Sequence, residues 1–253
     1  MRLTFSKPDG TNPIDMELND FFGKTPETVM EDSTLNEEYT APEYDVENLE
    51  TYVNNILKLE SVASKDWLTN KVDRSVTGRI ARQQTQGEIQ LPLSDSGAIA
   101  LDYRGFAGMA TSLGHATQVA MIDPAAGSVM AIAEALTNIV FAPLTNGLQS
   151  VSLSANWMWP CRNPGEDARL YKAVEACSDF SCDLGINIPT GKDSLSMTQK
   201  YDDDKVYSPG TVIISATGEV KNVRKIVSPV LAYIKGTYLY YIDFSLDTFK
   251  LGG

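Results

Sequence analysis

The stretch DPAAGSVMAIAEALTNI, residues 123–139, has the features of a complete helix. Asp123 can cap its first turn, Pro124 suits the first helical position, and small and apolar residues follow. Near its end, Glu134 and Asn138 are four residues apart, so their side chains share one helical face. Carboxylate and carboxamide oxygens are ligands that Mg²⁺ accepts, and Mg²⁺ usually binds together with substrate phosphates. The stretch therefore predicts a helix that carries either a metal–nucleotide site or an ordinary exposed polar face.

The composition favours a folded protein without a nucleic-acid surface. The chain has 253 residues, of which 43% are hydrophobic, enough for one large domain or one domain with pieces of others. The formal net charge of −12 argues against a nucleic-acid partner, which needs a basic surface. An anionic nucleotide is still compatible with this charge if metal ions bridge the two negative partners.

The sequence predicts a cytoplasmic protein that does not enter a membrane. No apolar run approaches the roughly 18 residues that suggest a membrane-spanning helix. The opening MRLTFSKPDGTNP lacks the apolar core of a signal peptide.

The cysteines and the single histidine form no recognisable zinc or catalytic pattern. Cys161, Cys177 and Cys182 are odd in number, have no CxxC spacing, and are distant in sequence from His115. A structural zinc site needs four nitrogen or sulfur ligands at short paired spacings. We therefore expect ordinary reduced thiols and assign His115 no role, with a Cys–His nucleophile pair as the disfavoured alternative.

Hydrophobic patterning divides the chain into unequal parts. Residues 31–60 are predicted to form an acidic linker that ends in a short helix over 46–59. Residues 61–220 predict an α+β domain, a mixed β-sheet with helices on one face. Predicted strands cover 72–81, 89–93, 96–103, 194–199 and 211–220, and predicted helices cover 126–142 and 164–184.

The helix predicted over 164–184 has its own start signal. Asn163 is expected to cap it and Pro164 to begin it, while Glu166 and Asp167 lie where the helix dipole favours negative charge.

Strand signals also occur at both ends of the chain, in MRLTF and within residues 231–243. We interpret them as a cut from a longer polypeptide. The alternative is that both ends fold back onto the core as edge strands.

Four motifs in a fixed order resemble a known family. They are VDRSVTGRIARQQTQG (72–87), DPAAGSVMAIAEALTNI (123–139), SLSANWMWP with GEDARLYKAV (152–174) and IPTGKDSLSM (188–197). Together they resemble the second half of phosphoribosylformylglycinamidine synthase, the long single-chain type. GKDS alone is a weak signal, whereas the four motifs together are specific.

The resemblance implies an ATP-dependent ligase of purine biosynthesis. Members convert formylglycinamide ribonucleotide, ATP and glutamine to the amidine, ADP, phosphate and glutamate. By resemblance, residues 1–30 are the tail of a preceding domain and 31–60 the linker. Residues 61–220 then resemble the N-terminal domain of the aminoimidazole ribonucleotide synthetase superfamily, and 221–253 the first strands of its partner domain. The implied partners are the first synthetase half, the partner domain, the glutaminase domain and small-molecule substrates.

The resemblance also implies an auxiliary nucleotide site that binds ATP or ADP with Mg²⁺. The nucleotide-binding residues correspond to Lys65, Asp95, Glu134 and Asn138, and the last three would be the metal ligands. A further family aspartate belongs to the partner domain, so this set is incomplete. Lysine offers a positive charge to phosphate, and the three oxygen donors suit Mg²⁺.

The GKDS segment has two interpretations. Gly191, Lys192, Asp193 and Ser194 resemble a superfamily loop beside the phosphates, and a glycine permits close backbone approach to an anion. They are therefore a possible substrate or phosphate loop. The alternative is a plain loop before a strand.

Two other functions remain open. One is a complete ATP-dependent enzyme of the same superfamily, such as a selenophosphate or aminoimidazole ribonucleotide synthetase, although both need a full second domain. The other is a non-catalytic nucleotide-binding or scaffold module. Under the main interpretation the catalytic ATP site belongs to the other half, so the isolated chain is expected to be inactive.

Overall fold

The structure, a computed structural model, describes residues 1–24, 27, 29–36, 38–69 and 78–243. Positions 72–77 of the strand predicted over 72–81, and positions 244–253 of the final segment, lie outside the described residues. The chain divides into two compact units, Met1–Glu31 and Asp32–Gly253. Among the described residues, no helix is long and apolar enough to cross a membrane.

The smaller unit is a hairpin followed by a short helix. Strand β1 (Arg2–Phe5) pairs antiparallel with β2 (Ile14–Glu17), and α1 (Leu18–Phe22) follows. The Arg2 guanidinium donates to Asp15 across the hairpin at 2.6 and 2.9 Å. The strand predicted at MRLTF is confirmed, and its partner is β2 of the same unit.

The larger unit is built on a mixed sheet. Its strands are β3 (Ile80–Arg82), β4 (Thr85–Gln86), β5 (Leu91–Pro92), β6 (Ser96–Ala100), β7 (Gly108–Gly114), β8 (Val151–Met158), β9 (Asn187–Ser194), β10 (Thr198–Lys200), β11 (Lys205–Tyr207) and β12 (Thr211–Val220). Six of them form one sheet in the order β3-β6-β7-β12-β8-β9. Strands β8 and β9 are parallel, whereas the other neighbouring pairs are antiparallel.

Helices cover one face of this sheet, as predicted. The helices of the larger unit are α2 (Leu49–Leu57), α3 (Asp66–Thr69), α4 (Thr117–Ile122), α5 (Pro124–Ile139) and α6 (Glu166–Leu184). Helix α5 contacts β7, β12 and α6, and α6 connects the parallel strands β8 and β9. On the opposite face, Thr111 and Leu113 are exposed. The α+β fold with a mixed sheet is therefore confirmed.

Helix α5 begins where the sequence indicates. The Asp123 carboxylate accepts from the N–H groups of Ala125 and Ala126 at 2.9 and 3.1 Å, and Pro124 occupies the first turn. These bonds satisfy N–H groups that have no partner inside the helix. The buried face of α5 contributes to the main core, which contains Ala98, Ala110, Ala131, Ile132, Ala135, Ile139, Ala142, Val151, Leu153, Ala155, Cys177, Ile186, Val212, Ile214, Ala216, Val220, Val223 and Ile226.

The end of β7 touches the backbone of α5 directly. A Cβ atom on Gly114 would lie 2.1 Å from the Ala131 carbonyl oxygen and 2.4 Å from the Ala135 nitrogen. Two residues earlier, the Ser112 hydroxyl donates to the Ala135 carbonyl at 2.6 Å. Only glycine allows this approach, because any side chain at position 114 would overlap the helix backbone.

Helix α6 starts later than predicted, and Asn163 is not its cap. The helix begins at Glu166, and its N-cap is Gly165 with a left-handed φ of 80°. The Asn163 side chain instead donates to the Pro160 carbonyl and the Thr198 hydroxyl at 2.6 and 2.9 Å. The positive φ at Gly165 interrupts any helix starting earlier, so residue 164 stays outside it. The predicted acidic residues do occupy the first turn.

The strand predicted over residues 231–243 is wrong. The structure has no strand across these described positions. A strand requires a neighbour for its backbone N–H and C=O groups, and this segment has none within the described residues.

We predict that Gly114→Ala lowers the free energy of unfolding by about 1–3 kcal/mol, because the added methyl must displace helix backbone. Gly97→Ala is the matched control, since its Cβ would have its nearest neighbour at 3.9 Å, on the adjacent strand of the same sheet. Urea unfolding of both variants measures the difference. Equal midpoints would contradict the close β7–α5 contact.

Candidate functional site

The side chains of Glu134 and Asn138 both reach the end of β7. Glu134 Oε2 accepts from the His115 backbone N–H at 2.5 Å. Asn138 Nδ2 donates to the Leu113 carbonyl at 2.9 Å, which fixes the orientation of the amide. Neither bond uses Glu134 Oε1 or Asn138 Oδ1. The two residues thus connect helix to strand and keep one oxygen each for a further partner.

Asp95 lies at the same end of the sheet. It directly precedes β6, whose first residue Ser96 is opposite Ser112 of β7. Asp95 and Leu113 line one surface cavity of about 390 Å³. The Leu113 backbone is therefore close to Asp95 and bonded to Asn138, whereas the residues lining this cavity include neither Glu134 nor Asn138.

Lys65 is the least closely connected member of the predicted set. Its Nζ donates to the Ala63 carbonyl at 2.9 Å. It immediately precedes α3, which contacts β5, and β5 ends three residues before Asp95. Lys65 is therefore followed by a helix, α3, that contacts β5, the strand that precedes Asp95.

The donor set suits Mg²⁺ bound together with phosphate. Within the ranges that the structure describes, no group of three or more His, Cys, Asp or Glu side chains could hold a metal by itself. The predicted set has two carboxylates, Asp95 and Glu134, and one carboxamide, Asn138. Mg²⁺ typically keeps several waters and binds one or two carboxylates plus substrate phosphates, so these three residues fit such a partial set.

A second cavity lies on the other side of Asp95, and the sequence analysis missed it. It has a volume of about 130 Å³, and its lining includes Arg82, Ser94, Asp95, Phe141 and Ile226. Arg82 Nε and Ser94 Oγ are buried without a hydrogen-bond partner in the described part of the chain. Burying such groups unpaired is unfavourable, so they mark a place for a polar ligand or water. In the sequence, the signal that could have indicated this cavity was Arg82, within the 72–87 motif.

The guanidinium of Arg82 is already oriented from its other side. Its Nη atoms donate to Gln86 Oε1 at 2.7 Å and to the Ile226 carbonyl at 2.8 Å. These two bonds hold the charge beside the cavity and leave Nε as the unpaired donor.

The GKDS residues form part of a strand rather than a loop. Gly191, Lys192, Asp193 and Ser194 lie in β9, which pairs in parallel with β8. The missing Cβ of Gly191 permits this pairing, because it would lie 2.2 Å from the Ala155 carbonyl oxygen. Strand β9 is the edge of the sheet, three strand spacings or about 14 Å from β7. GKDS is therefore not part of the Glu134 site.

The two buried cysteines, Cys161 and Cys177, are poor nucleophiles. Burial, followed by a contact with Asp167, raises the pKa of Cys161 to about 12. Burial also raises the pKa of Cys177 to about 11. Both thiols stay protonated at neutral pH, in agreement with the expectation of ordinary reduced thiols.

We predict that Glu134→Ala destabilises the chain even without nucleotide, by about 0.5–1.5 kcal/mol, since the His115 N–H loses its acceptor. Glu134→Gln should lose less, because the Gln carbonyl can still accept this bond. Urea unfolding without metal or nucleotide gives both values. A Glu134→Ala variant as stable as the wild type would show that the bond to His115 contributes nothing.

Comparison with known protein families gives one match covering most of the domain. A family model described as the FGAR-AT PurM_N-like domain matches residues 64–219. The human phosphoribosylformylglycinamidine synthase is 42% identical over 199 residues, which cover 78% of this chain. The chain spans 15% of the length of that human protein.

Solved structures share the fold at much lower identity. Thermotoga maritima PurL complexed with ATP has a TM-score of 0.54 at 14% identity, covering 90% of this chain and 32% of that chain. PurL of the same organism complexed with ADP has a TM-score of 0.52 at 16% identity, covering 86% and 32%. At these identities the likeness concerns the fold, and it agrees with the mixed sheet described above.

Proposed function

Because the chain belongs to the FGAR-AT PurM_N-like domain family, we propose that it is part of a phosphoribosylformylglycinamidine synthase and carries a Mg²⁺–nucleotide site. The proposed parent enzyme converts formylglycinamide ribonucleotide, ATP and glutamine to formylglycinamidine ribonucleotide, ADP, phosphate and glutamate. The observation that supports the site is that Glu134 and Asn138 both bind backbone groups at the end of β7, beside the start of β6 that Asp95 directly precedes.

Each residue of this site has a distinct task in the proposal. Asp95, Glu134 and Asn138 would hold Mg²⁺, which neutralises the phosphate charge when it is bound. The bonds from His115 and to Leu113 keep the Glu134 and Asn138 side chains in place before the ligand arrives. Lys65 supplies a positive charge for the phosphates.

Arg82 extends the proposed site beyond the residues predicted from the sequence. Arg82 and Ser94 line the cavity next to Asp95. The Arg82 Nε and the Ser94 hydroxyl are buried there without a hydrogen-bond partner among the described residues. We infer that they contact a polar group of the nucleotide, which would satisfy both atoms at once.

The nucleotide at this site is proposed to stabilise the protein rather than to be consumed. In this assignment residues 1–30 belong to a preceding domain, 31–60 to a linker, 61–220 to the nucleotide-binding domain and 221–253 to its partner domain. The remaining domains of the parent, a first synthetase half and a glutaminase domain, would supply the catalytic ATP site and the ammonia.

The exposed part of β9 is proposed to border the substrate groove. Lys192 and Asp193 are exposed on this edge strand, and Lys192 Nζ donates to the Ser194 hydroxyl. A lysine and a hydroxyl held together offer donors to a phosphate or a ribose.

The open face of the sheet is the proposed contact with the first synthetase half. Thr111 and Thr217 lie opposite each other at its centre, with their hydroxyls 3.2 Å apart. Ile99 and Leu113 add exposed apolar surface to the same face. A second sheet packed there would cover both kinds of side chain.

We predict that ADP stabilises this chain only in the presence of Mg²⁺. A site with an incomplete ligand set should bind with a Kd of about 1 mM, near 4 kcal/mol of binding free energy. At ten times Kd the stability gain is about 1.4 kcal/mol. Urea unfolding with ADP, with and without Mg²⁺, measures it.

The variants Glu134→Gln and Asp95→Asn should lose this gain, because each removes a negative oxygen donor. Asp179→Asn, an exposed carboxylate on α6, is the control and should keep the full gain. If Glu134→Gln gains as much stability as the wild type, the metal site is not at Glu134.

We further predict that the isolated chain does not turn over. With formylglycinamide ribonucleotide, ATP, Mg²⁺ and ammonia it should release no phosphate above background, since the catalytic ATP site is assigned to the other half. Steady phosphate release that disappears in Asp193→Ala would contradict this assignment, whatever the outcome of the Mg-ADP titration.

A further inference from the structure

The first turn of α6 is capped by a residue more than 130 positions away. Asp32 Oδ1 accepts from the Gly165 N–H at 3.1 Å, and Oδ2 accepts from the Asp167 and Ala168 N–H groups at 3.1 and 3.3 Å. Gly165, the N-cap, has no side chain for this purpose. The linker carboxylate therefore takes the place of a local cap.

Together with one local bond, Asp32 completes the hydrogen bonding of this helix end. The Glu166 N–H donates to the Asn163 carbonyl at 3.1 Å. The donors Ser33 and then Gly165 lower the pKa of Asp32, so its carboxylate is ionised at neutral pH. An anion at the positive end of a helix is also favoured by the helix dipole.

Two further contacts follow along the same segment. The side chain of Leu35 covers Gly165, where a Cβ atom would lie 2.9 Å from Leu35 Cγ. The Tyr39 hydroxyl donates to the Met121 carbonyl at the end of α4, at 3.0 Å. The segment thus reaches from the start of α6 to the end of α4.

The two side chains that make these further contacts are accessible to water. Leu35 is 52% exposed and Tyr39 is 54% exposed. Segments with little buried apolar area and solvent-exposed hydrogen bonds open at low free-energy cost.

We propose that the described residues 32–36 and 38–39 form a releasable strap that caps α6 through Asp32 and closes over α4 and α6. The cap, the Leu35–Gly165 contact and the Tyr39–Met121 bond form and break together. The strap lies beyond the 64–219 match, so the structural unit extends toward the N-terminus to Asp32.

Release of the strap has a defined consequence. Tyr39 lines a cavity of about 330 Å³ together with Met121, Glu166, Arg169 and Tyr207. Opening the strap removes one wall of this cavity and exposes the Gly165, Asp167 and Ala168 N–H groups. The open state therefore offers these three N–H donors to an anionic partner, whereas in the closed state the Asp32 carboxylate occupies them.

Hydrogen exchange of the full chain tests the strap directly. In Asp32→Ala the amide protection of Gly165, Asp167 and Ala168 should fall by about 2- to 30-fold, as loss of a helix cap implies. Asp32→Asn, which keeps an acceptor oxygen, should lose less. Glu38→Ala is the matched control, because it removes the same charge from the same segment and is not a cap of α6.

A second measurement uses the unmodified chain and does not depend on whether a variant folds. The amides of Ser33, Gly165, Asp167 and Ala168 should exchange with one shared opening free energy, faster than the middle of α6. Unchanged protection in Asp32→Ala would overturn the proposal. So would exchange of Ser33 at the rate of an unprotected peptide in the wild type.

Discussion

The contact between the end of β7 and the backbone of α5 determines most of this structure. A glycine at position 114 lets strand and helix meet without an intervening side chain. The same turn of chain then supplies the carbonyl and the N–H that bind Asn138 and Glu134. Because this contact is a packing constraint, the candidate site lies on a strand and a helix that are packed backbone to backbone, which favours precise ligand positioning.

The sequence predicted the elements that have local signals and missed those that depend on distant ones. Helix α5 carries its own cap at Asp123 and a regular apolar face, so its existence and its start signal were predicted, although the predicted range 126–142 ends three residues late. Strand β7 (GMATSLG) contains two glycines and an alanine, which are depleted in strands, and it is a strand because β6 and β12 pair with it. Likewise, nothing near Asn163 indicates that the cap of α6 comes from Asp32.

The candidate site was predicted as a set of positions but not as a geometry. The helical spacing of two oxygen donors indicated Glu134 and Asn138, and the resemblance added Lys65 and Asp95. Neither signal could show that Asn138 binds β7 and Glu134 binds the residue that follows β7, because those partners are backbone atoms. The Arg82–Ser94 cavity was missed for the same reason, since it is defined by atoms that lack a partner. GKDS was expected in a loop because the strand that pairs with it, β8, is separated from it in the chain by helix α6. A local sequence pattern does not show such a distant pairing.

The position of β12 has a consequence for how the protein is made. It is the last strand of the main sheet in chain order among the described residues, yet it lies between β7 and β8. A ribosome that has released β8 must add about 60 more residues before β12 is complete, which at 5–20 residues per second takes roughly 3–12 s. During this interval β7 and β8 each have an open edge, and open edges pair with other chains. The nascent chain is therefore most prone to aggregation just before its sheet closes, and slower translation after β8 prolongs that exposure.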